Sequence, residues 1–327
     1  MKSKFDSFEF VKFEYDHISS FVSKRDGETK IGEKIDFEFN KPSVKYVILG
    51  ISEDIGPQAN LGLKGSENSF KAFISRFVNV QSNRFLSGEE ICILGEVKQL
   101  SPFIEKDEAR NRIEILDDFI QKILIPIVAS GKIPIVIGGG HNNAYPLINS
   151  CFSVSHKSID VINLDPHADC RQLEGRHSGN PFSYAKANNF LNNYTVLGLH
   201  QQYNSEGIYQ YLDENKFFYS FFEDYLDRTR NFREDIKQAS KNREKEIKLG
   251  IELDLDSISM IPTSAFTPSG FSVEEARIFV REVGNQKNIA YLHLPEGAPQ
   301  TDLDFKIVGK TLTYLVTDFI KVNKTHS

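Results

Sequence analysis

The stretch "SIDVINLDPHADCR" (158–171) decides the fold, because an apolar run ends there in a cluster of charged side chains. The run 158–164 is nearly continuously apolar, which is typical of a strand buried on both faces of a parallel sheet. Asp165, His167 and Asp169 follow at every second position. Alternate residues of an extended segment project the same way, so these three side chains can face one ligand at the end of the strand.

Similar apolar runs recur along the chain and alternate with stretches of helical periodicity. This alternation predicts an α/β fold with a mostly parallel sheet. The other predicted strands are 44–50, 90–95, 132–138, 194–199, 246–253 and 288–294. The predicted helices are 66–82, 103–130, 206–240, 272–284 and 301–320, the fourth of which opens with a capping-box pattern, Ser272 and Glu275.

The domain organisation follows from what the 327-residue sequence lacks. It contains no linker, low-complexity segment or internal repeat, so residues 43–327 are predicted to form a single domain. Residues 1–42 are polar and aromatic without a clear period. We expect them to form an N-terminal appendage.

Composition excludes several classes of protein. A net charge of −6 gives no support for nucleic-acid binding, which usually requires a basic patch. The charged N-terminus does not resemble a signal peptide, and the absence of an 18-residue apolar run predicts no membrane span. Three cysteines without a CxxC motif favour a reducing compartment, so a cytoplasmic location is expected.

Charged and imidazole side chains follow four of the predicted strands. In open α/β sheets, ligands bind outside the carboxyl ends of the strands. Each such residue alone is commonly a helix cap or a packed histidine. Together, the five carboxylates would repel one another, and burying unpaired charges costs several kcal/mol per ion. A bound divalent metal resolves this conflict. The residues are His141, Asp165, His167, Asp169, Asp254, Asp256 and Glu296.

The kind of metal centre follows from the donor set. Carboxylate oxygens with two imidazoles suit Mn²⁺, Fe²⁺ or Zn²⁺. Leaving Glu296 aside, the other six residues are too many for one catalytic ion that must keep a water. They suit two ions about 3.5–4 Å apart that share carboxylates.

Four motifs, in this order and at these spacings, resemble the arginase–agmatinase–formimidoylglutamase (ureohydrolase) family. The early segment 50–73 and the segment "GRHSGNPFSYA" (175–185) resemble the same family, and the resemblance covers roughly residues 44–320. The motifs are "GGGHNN" (138–143), "NLDPHADCR" (163–171), "ELDLDSI" (252–258) and "EGAP" (296–299).

The resemblance implies a three-layer α/β/α fold with a mostly parallel, roughly eight-stranded sheet and two Mn²⁺ ions per chain. It implies one ion bound by His141, Asp165, Asp169 and Asp254, and a second bound by Asp165, His167, Asp254 and Asp256. A water activated by both ions would attack a guanidino or formimino carbon. Glu296 would hold the cationic nitrogens of the substrate, and Asp169 would transfer a proton to the leaving amine. A homo-oligomer is also implied.

Departures from the family pattern leave some roles open. Gly140 stands where the first motif usually has Asp, and Glu252 stands where Ser usually precedes the Asp-x-Asp motif. Ser178 occupies the place of a histidine found in many members, and His177 lies one residue earlier. His177 is therefore either a catalytic proton shuttle or a packing residue.

The predicted substrate is an amino acid. Arg171 stands where arginases carry an Asn that contacts the substrate's carboxylate, and a guanidinium binds carboxylates through two parallel hydrogen bonds. Arg171, the Ser178 to Asn180 segment and "GLHQQYNS" (198–205) resemble formimidoylglutamases, with Ser178 and Asn180 as further substrate contacts. This favours N-formimino-L-glutamate, cleaved to glutamate and formamide. Arginine hydrolysis is the alternative, and Arg171 could instead form a structural salt bridge.

Three other classes of function are less compatible with the sequence. Metal deacetylases share the implied fold but use one zinc ion and lack the six-ligand set. A non-catalytic binding relative would be expected to lack a ligand, and here each is present. Nucleophilic chemistry at Cys170 is disfavoured because neighbouring carboxylates raise the pKa of a thiol.

Overall fold

The computed structural model describes residues 6–102, 105–241 and 243–324. Over these residues, nine strands form one sheet in the spatial order β1-β3-β2-β4-β9-β8-β5-β6-β7, which is parallel except for the β1–β3 pair. The strands are β1 (Phe8–Lys12), β2 (Tyr46–Ser52), β3 (Ile91–Gln99), β4 (Ile133–Ile137), β5 (Ile159–Leu164), β6 (Leu191–Leu199), β7 (Phe218–Phe221), β8 (Leu249–Leu253) and β9 (Ile289–Leu294).

Helices connect most of these strands. The α-helices are α1 (Tyr15–Ser19), α2 (Ile55–Ala59), α3 (Ser69–Phe77), α4 (Lys106–Ala129), α5 (Ala144–Ser155), α6 (Pro181–Ala187), α7 (Glu206–Glu214), α8 (Phe222–Leu226), α9 (Phe232–Lys241), α10 (Val273–Gly284) and α11 (Asp302–Asn323). Short 3₁₀ helices lie at Ile31–Glu33, Ser66–Asn68, His141–Asn143 and Leu255–Ser257. None of the helices in the described ranges has both the length and the apolar character needed to cross a bilayer.

The sheet is buried on both faces because alternate side chains of its strands enter two different cores. In β2, Tyr46 and Ile48 belong to the core that also contains residues of α3, α9, α10 and α11, whereas Val47 and Leu49 belong to the core that contains residues of α2, α4, α5, α6 and α7. Successive side chains of a strand point to opposite faces of the sheet, so one strand contributes residues to both cores. The predicted three-layer α/β/α fold with a mostly parallel sheet is therefore confirmed.

Two predicted helices begin or pack as their sequences indicate. The hydroxyl of Ser272 accepts from the Glu275 backbone N–H at 3.2 Å, so α10 begins with the predicted capping box. On the same layer, α11 packs closely on α3. A Cβ at Gly309 would lie 2.3 Å from the carbonyl oxygen of Ala72, so only glycine permits this approach.

The prediction of a continuous helix over 206–240 is wrong. Helix α7 ends at Glu214, Lys216 adopts a left-handed φ of 55°, and the aromatic run "FFYSFF" (217–222) supplies β7. Helices α8 and α9 follow. The run was too short to distinguish from a helical face by periodicity.

The N-terminal segment contributes to the sheet and its core. Strand β1 pairs with β3 at the sheet edge, and Phe13, Ile18 and Ile31 are buried in the core shared with α3. Residues 1–5 and 325–327, together with 103–104 at the start of a predicted helix, lie outside the described residues. The domain boundary at residue 43 stays a prediction.

Candidate metal centre

The four strands that carry the predicted ligands lie side by side in the sheet. Their order is β4, β9, β8 and β5, and all four run in the same direction. The residues after their carboxyl ends therefore meet at one edge. His141 follows β4, Glu296 follows β9, Asp254 follows β8 and Asp165 follows β5.

His141 is the centre of a buried carboxylate cluster. Its Nδ1 lies 3.2 Å from Oδ2 of Asp165, 2.9 Å from Oδ2 of Asp169 and 3.0 Å from Oδ2 of Asp254. The four ligand atoms lie within 4.8 Å of one another. Ligand atoms about 2.1 Å from a divalent ion and at right angles lie about 3 Å apart, so these residues fit a metal ion.

Local hydrogen bonds fix the orientation of these carboxylates. The backbone N–H of His167 donates to Oδ1 of Asp165 at 2.7 Å, and the backbone N–H of Asp256 donates to Oδ1 of Asp254 at 2.8 Å. In each residue the other oxygen is the one nearest to His141. Asp169 reaches the cluster from a left-handed backbone conformation with φ of 49°. Such strain is common at functional sites.

The electrostatics of the cluster favour a bound cation. Burial and the charge of Asp254 raise the pKa of Asp256 to about 8, and burial and Asp165 raise the pKa of Asp254 to about 6. Burial likewise raises the pKa of Glu296 well above its usual value. These shifts reflect the cost of several carboxylate charges in one buried space, which a divalent cation would offset.

Only two of the four residues in the second predicted ligand set lie in the cluster around His141. Asp165 and Asp254 belong to the cluster around His141, but in the described part of the chain His167 and Asp256 join no ligand group of that closeness. Nδ1 of His167 lies 3.6 Å from Oδ1 of Asp165, and its ring stacks on Tyr203 with centroids 5.3 Å apart. His167 and Asp256 do line one cavity together with Asp169 and Asp254. The second ligand set stays a prediction.

Glu296 lies beside the cluster, held by hydrogen bonds that its sequence context does not reveal. The backbone N–H of His141 donates to its Oε1 at 2.6 Å, and the hydroxyl of Ser264 donates to its Oε2. The backbone at Glu296 is left-handed, with φ of 68°. Ser264 was not predicted, because the loop that carries it has no motif of its own.

A cavity of about 780 Å³ opens onto the cluster. Its polar lining includes both predicted and unpredicted residues, and exposed apolar side chains line it as well. The predicted residues are His167, Asp169, Arg171, Ser178, Asp254, Asp256 and Glu296, and the unpredicted ones include Asn60, Leu61, Leu63, Tyr203, Ser264 and Phe266.

Arg171 lines the cavity and is exposed. Its Nη1 donates to Oδ1 of Asn60 at 3.0 Å, and within the described ranges it forms no ion pair with a structural carboxylate. Asn60 also donates to the hydroxyl of Ser178 at 3.4 Å. The guanidinium is therefore oriented by a neutral amide, which leaves its charge available to a ligand.

The structure does not bring His177 and Asn180 to this cavity. Nδ1 of His177 accepts from the Gly179 backbone N–H at 3.1 Å, and its Nε2 lies 3.1 Å from Oε1 of Glu174. Oδ1 of Asn180 accepts from Arg176 at 2.9 Å and from the His177 backbone at 3.1 Å. Both side chains hold the loop that carries Ser178.

The fold and the site together define a three-layer α/β protein with a carboxylate-rich candidate metal centre at the carboxyl edge of its sheet. A sequence model of the arginase family matches residues 47–319. The chain belongs to the arginase family, and the predicted class, a hydrolase that acts on C–N bonds, is confirmed.

Individual relatives support the family assignment. A formimidoylglutamase from Macrococcus caseolyticus is 26% identical over 306 residues, which are 91% of this chain and 90% of the relative. One from Staphylococcus haemolyticus is 27% identical over 180 residues, so there the match spans about half of each protein, 55% of this chain and 54% of the relative.

Solved structures of low sequence identity share the fold. The formimidoylglutamase from Bacillus subtilis has a TM-score of 0.75 at 15% identity, covering 93% of this chain and 95% of that one. A Trypanosoma cruzi formiminoglutamase structure with Mn²⁺ has a TM-score of 0.72 at 19% identity, covering 89% and 98%.

Proposed function

We propose that this protein hydrolyses N-formimino-L-glutamate to L-glutamate and formamide with two Mn²⁺ ions. The observation that carries the proposal is the cluster of His141 with three carboxylates at the base of a cavity that also contains Arg171. The family assignment and the formimidoylglutamase relatives support this choice of reaction.

The metal ions would be bound by the residues of the cluster and their neighbours. His141, Asp165, Asp169 and Asp254 would hold one ion, and Asp165, His167, Asp254 and Asp256 would hold the other. When bound, the pair of ions supplies a water that is reactive near neutral pH. Carboxylate and imidazole donors suit Mn²⁺, and the Mn²⁺ in the Trypanosoma cruzi relative supports this identity.

The substrate would be positioned by two charged residues on the same cavity. Glu296, fixed by His141 and Ser264, would accept hydrogen bonds from the cationic formimino nitrogens. Arg171 would bind the substrate's carboxylate through its two parallel N–H groups. Asp169 would receive a proton and pass it to the leaving amine.

Ser178, His177 and Asn180 would have different roles in the same loop. Ser178 lines the cavity and would contact the substrate directly. His177 and Asn180 would position the loop from behind, since their polar atoms bond within it. On this geometry a proton shuttle through His177 has no support.

Arginine hydrolysis, giving ornithine and urea, is the second candidate. The guanidinium of Arg171 is equally suited to the carboxylate of arginine, so this residue does not separate the two amino acids. It does disfavour agmatine, which has no carboxylate.

A substrate panel tests the proposal. The Mn²⁺-loaded protein is incubated with formiminoglutamate, arginine, agmatine, guanidinobutyrate and guanidinopropionate, and formamide and urea are quantified. Glutamate and formamide from the first substrate, absent with Asp256→Asn, are expected. Urea from arginine at a higher kcat/KM would replace the proposed substrate, and no turnover of any compound by metal-loaded protein would indicate a binding relative.

The cellular setting is also part of the proposal. Cys92, Cys151 and Cys170 are free and buried, which agrees with a reducing compartment such as the cytoplasm. Assembly into a homo-oligomer stays a prediction, which sedimentation velocity would test.

A further inference from the structure

A second buried cluster lies on the opposite side of His141 from the carboxylates. It consists of Glu252, in β8 two residues before Asp254, and His293, in β9. All three side chains of the group His141, Glu252 and His293 have no solvent exposure. The described function assigns no role to Glu252 or His293.

The two ring nitrogens of His141 face different partners. Nδ1 faces the carboxylates of the metal cluster at 2.9–3.2 Å. Nε2 lies 3.4 Å from Oε2 of Glu252, longer than a well-formed hydrogen bond, and it has no other hydrogen-bond partner among the described residues. The same oxygen lies 2.6 Å from Nδ1 of His293, while the hydroxyl of Tyr291 donates to Oε1 at 2.8 Å. Glu252 is thus anchored by two neighbours and presents an acceptor to the back of the His141 ring.

We infer that Glu252 is a positioning residue that accepts the Nε2 proton of His141 and thereby directs the Nδ1 lone pair toward the metal. A neutral imidazole carries one proton, and a metal ligand must be the nitrogen without it. A proton on Nε2 needs an acceptor, because an unpaired buried donor costs about 1–3 kcal/mol. This inference rests on the metal binding in the proposed function, though not on its substrate.

Nε2 of His141 is buried without a formed hydrogen bond in the described structure, and the carboxylate 3.4 Å away on Glu252 is the group that can accept its proton. Two aromatic rings flank the His141 imidazole and offer no acceptor oxygen: Phe182 meets it edge-on with centroids 5.3 Å apart, and His293 does so at 5.8 Å. A third cation between Glu252 and the two histidines is disfavoured, since the 2.6 Å contact between Glu252 and His293 is a hydrogen-bond distance.

Metal affinity is the first test, with a matched pair of variants. Glu252→Gln keeps the shape of the side chain and removes its charge, whereas Asp160→Asn makes the same kind of change at a buried carboxylate of β5 outside the centre. Loss of a partner behind a ligating histidine weakens metal binding about 10–100-fold. Mn²⁺ titration followed by the EPR signal of free ion should show this loss for Glu252→Gln, with Asp160→Asn close to wild type.

A spectroscopic readout covers the case in which Glu252→Gln does not fold. In wild-type protein labelled with ¹⁵N-histidine and loaded with diamagnetic Zn²⁺, His141 should show a downfield Nε2–H resonance that persists in Asp160→Asn. Coordination through Nε2, or an Nε2–H at the position of an exposed imidazole, would overturn the inference. Unchanged Mn²⁺ affinity in folded Glu252→Gln, or three ions per chain, would also overturn it.

These readouts separate this inference from the proposed function. Tight Mn²⁺ binding with the expected Glu252 dependence, but without amidine hydrolysis, would refute the function alone. Hydrolysis of formiminoglutamate with unchanged Mn²⁺ affinity in Glu252→Gln would refute the positioning role alone.

Discussion

Nδ1 of His141 lies 3.0 Å from Oδ2 of Asp254, although 113 residues separate them in the chain. Their strands, β4 and β8, are not neighbours, because β9 lies between them and supplies Glu296. The centre is therefore a product of strand order at one sheet edge. Each contributing motif alone would be compatible with an ordinary helix cap.

Arg171→Ala should raise KM for formiminoglutamate with little effect on kcat. Hydrogen bonds to charged groups are worth about 1.5–3 kcal/mol, or roughly ten- to a hundredfold in KM. Steady-state kinetics measure KM and kcat separately. Lys186→Ala removes a nearby positive charge outside this cavity and should leave KM unchanged. An equal effect of Arg171→Ala on agmatine and on formiminoglutamate would contradict a carboxylate contact.

Cys170→Ser should retain metal and activity. Burial, with the charges of Asp169 and Asp165, raises the pKa of the Cys170 thiol well above its usual value, so the thiolate needed for nucleophilic attack is not formed. We expect kcat/KM within about threefold of wild type, since Ser is close in size. Cys151→Ser, at another buried thiol, controls for the stability cost. Loss of turnover with metals retained would indicate chemistry at Cys170.

His177→Asn should leave kcat within about threefold, because Asn can still accept from the Gly179 N–H but cannot shuttle a proton. His156→Asn, at an exposed position, controls for replacing a histidine. A hundredfold loss of kcat with metal occupancy unchanged would restore the proton-shuttle role.

The same His177→Asn substitution should alter the pH dependence of stability. Burial and the nearby Arg110 charge lower the pKa of His177 to about 4 in the folded protein, whereas an unfolded histidine titrates near pH 6.5. As pH falls through this window the unfolded state binds a proton that the folded state does not, so stability falls. Urea unfolding of metal-free protein should show a smaller loss between pH 7.5 and 5 in the variant, and an unchanged slope would contradict it.

Arg176→Met should destabilise the fold strongly. Nε of Arg176 donates to Oδ2 of Asp117 at 2.9 Å, and the guanidinium lies over the rings of Tyr145 and Tyr184. Removing one partner of a buried ion pair costs about 3–5 kcal/mol. The free energy of unfolding in urea measures this loss, and adding Asp117→Leu should recover much of it. A loss under about 1 kcal/mol would contradict this account, because it would mean that the Asp117 carboxylate does not depend on the charge of Arg176.

Long apolar runs made most of the sheet predictable from the sequence. Two strands, β1 and β7, could be recognised only from their pairing in the folded structure. Strands β5, β8 and β9 are buried on both faces, so their sequences are mostly apolar and are followed by recognisable charged residues. Edge strands β1 and β7 are half-exposed, and their short, polar or aromatic sequences carry no such signal.

The cluster of candidate metal ligands was predictable because its residues are concentrated at strand ends, but the groups that support it were not. Ser264 and Asn60 come from loops without a motif and reach Glu296 and Arg171 only in the folded chain. For His177, the sequence could not distinguish a catalytic role from packing. That choice depends on the contacts with Glu174 and Gly179, which the loop conformation determines.

Metal analysis of Mn²⁺-saturated, desalted protein measures whether the carboxylates around His141 hold a pair of ions. Mass spectrometry of the metal content should give close to two ions per chain for wild type, and for Asp160→Asn, which alters a buried carboxylate of β5 outside the centre. Asp254→Asn should fall well below one. A wild-type protein without stoichiometric Mn²⁺, or an Asp254→Asn variant that keeps both ions, would contradict the metal centre.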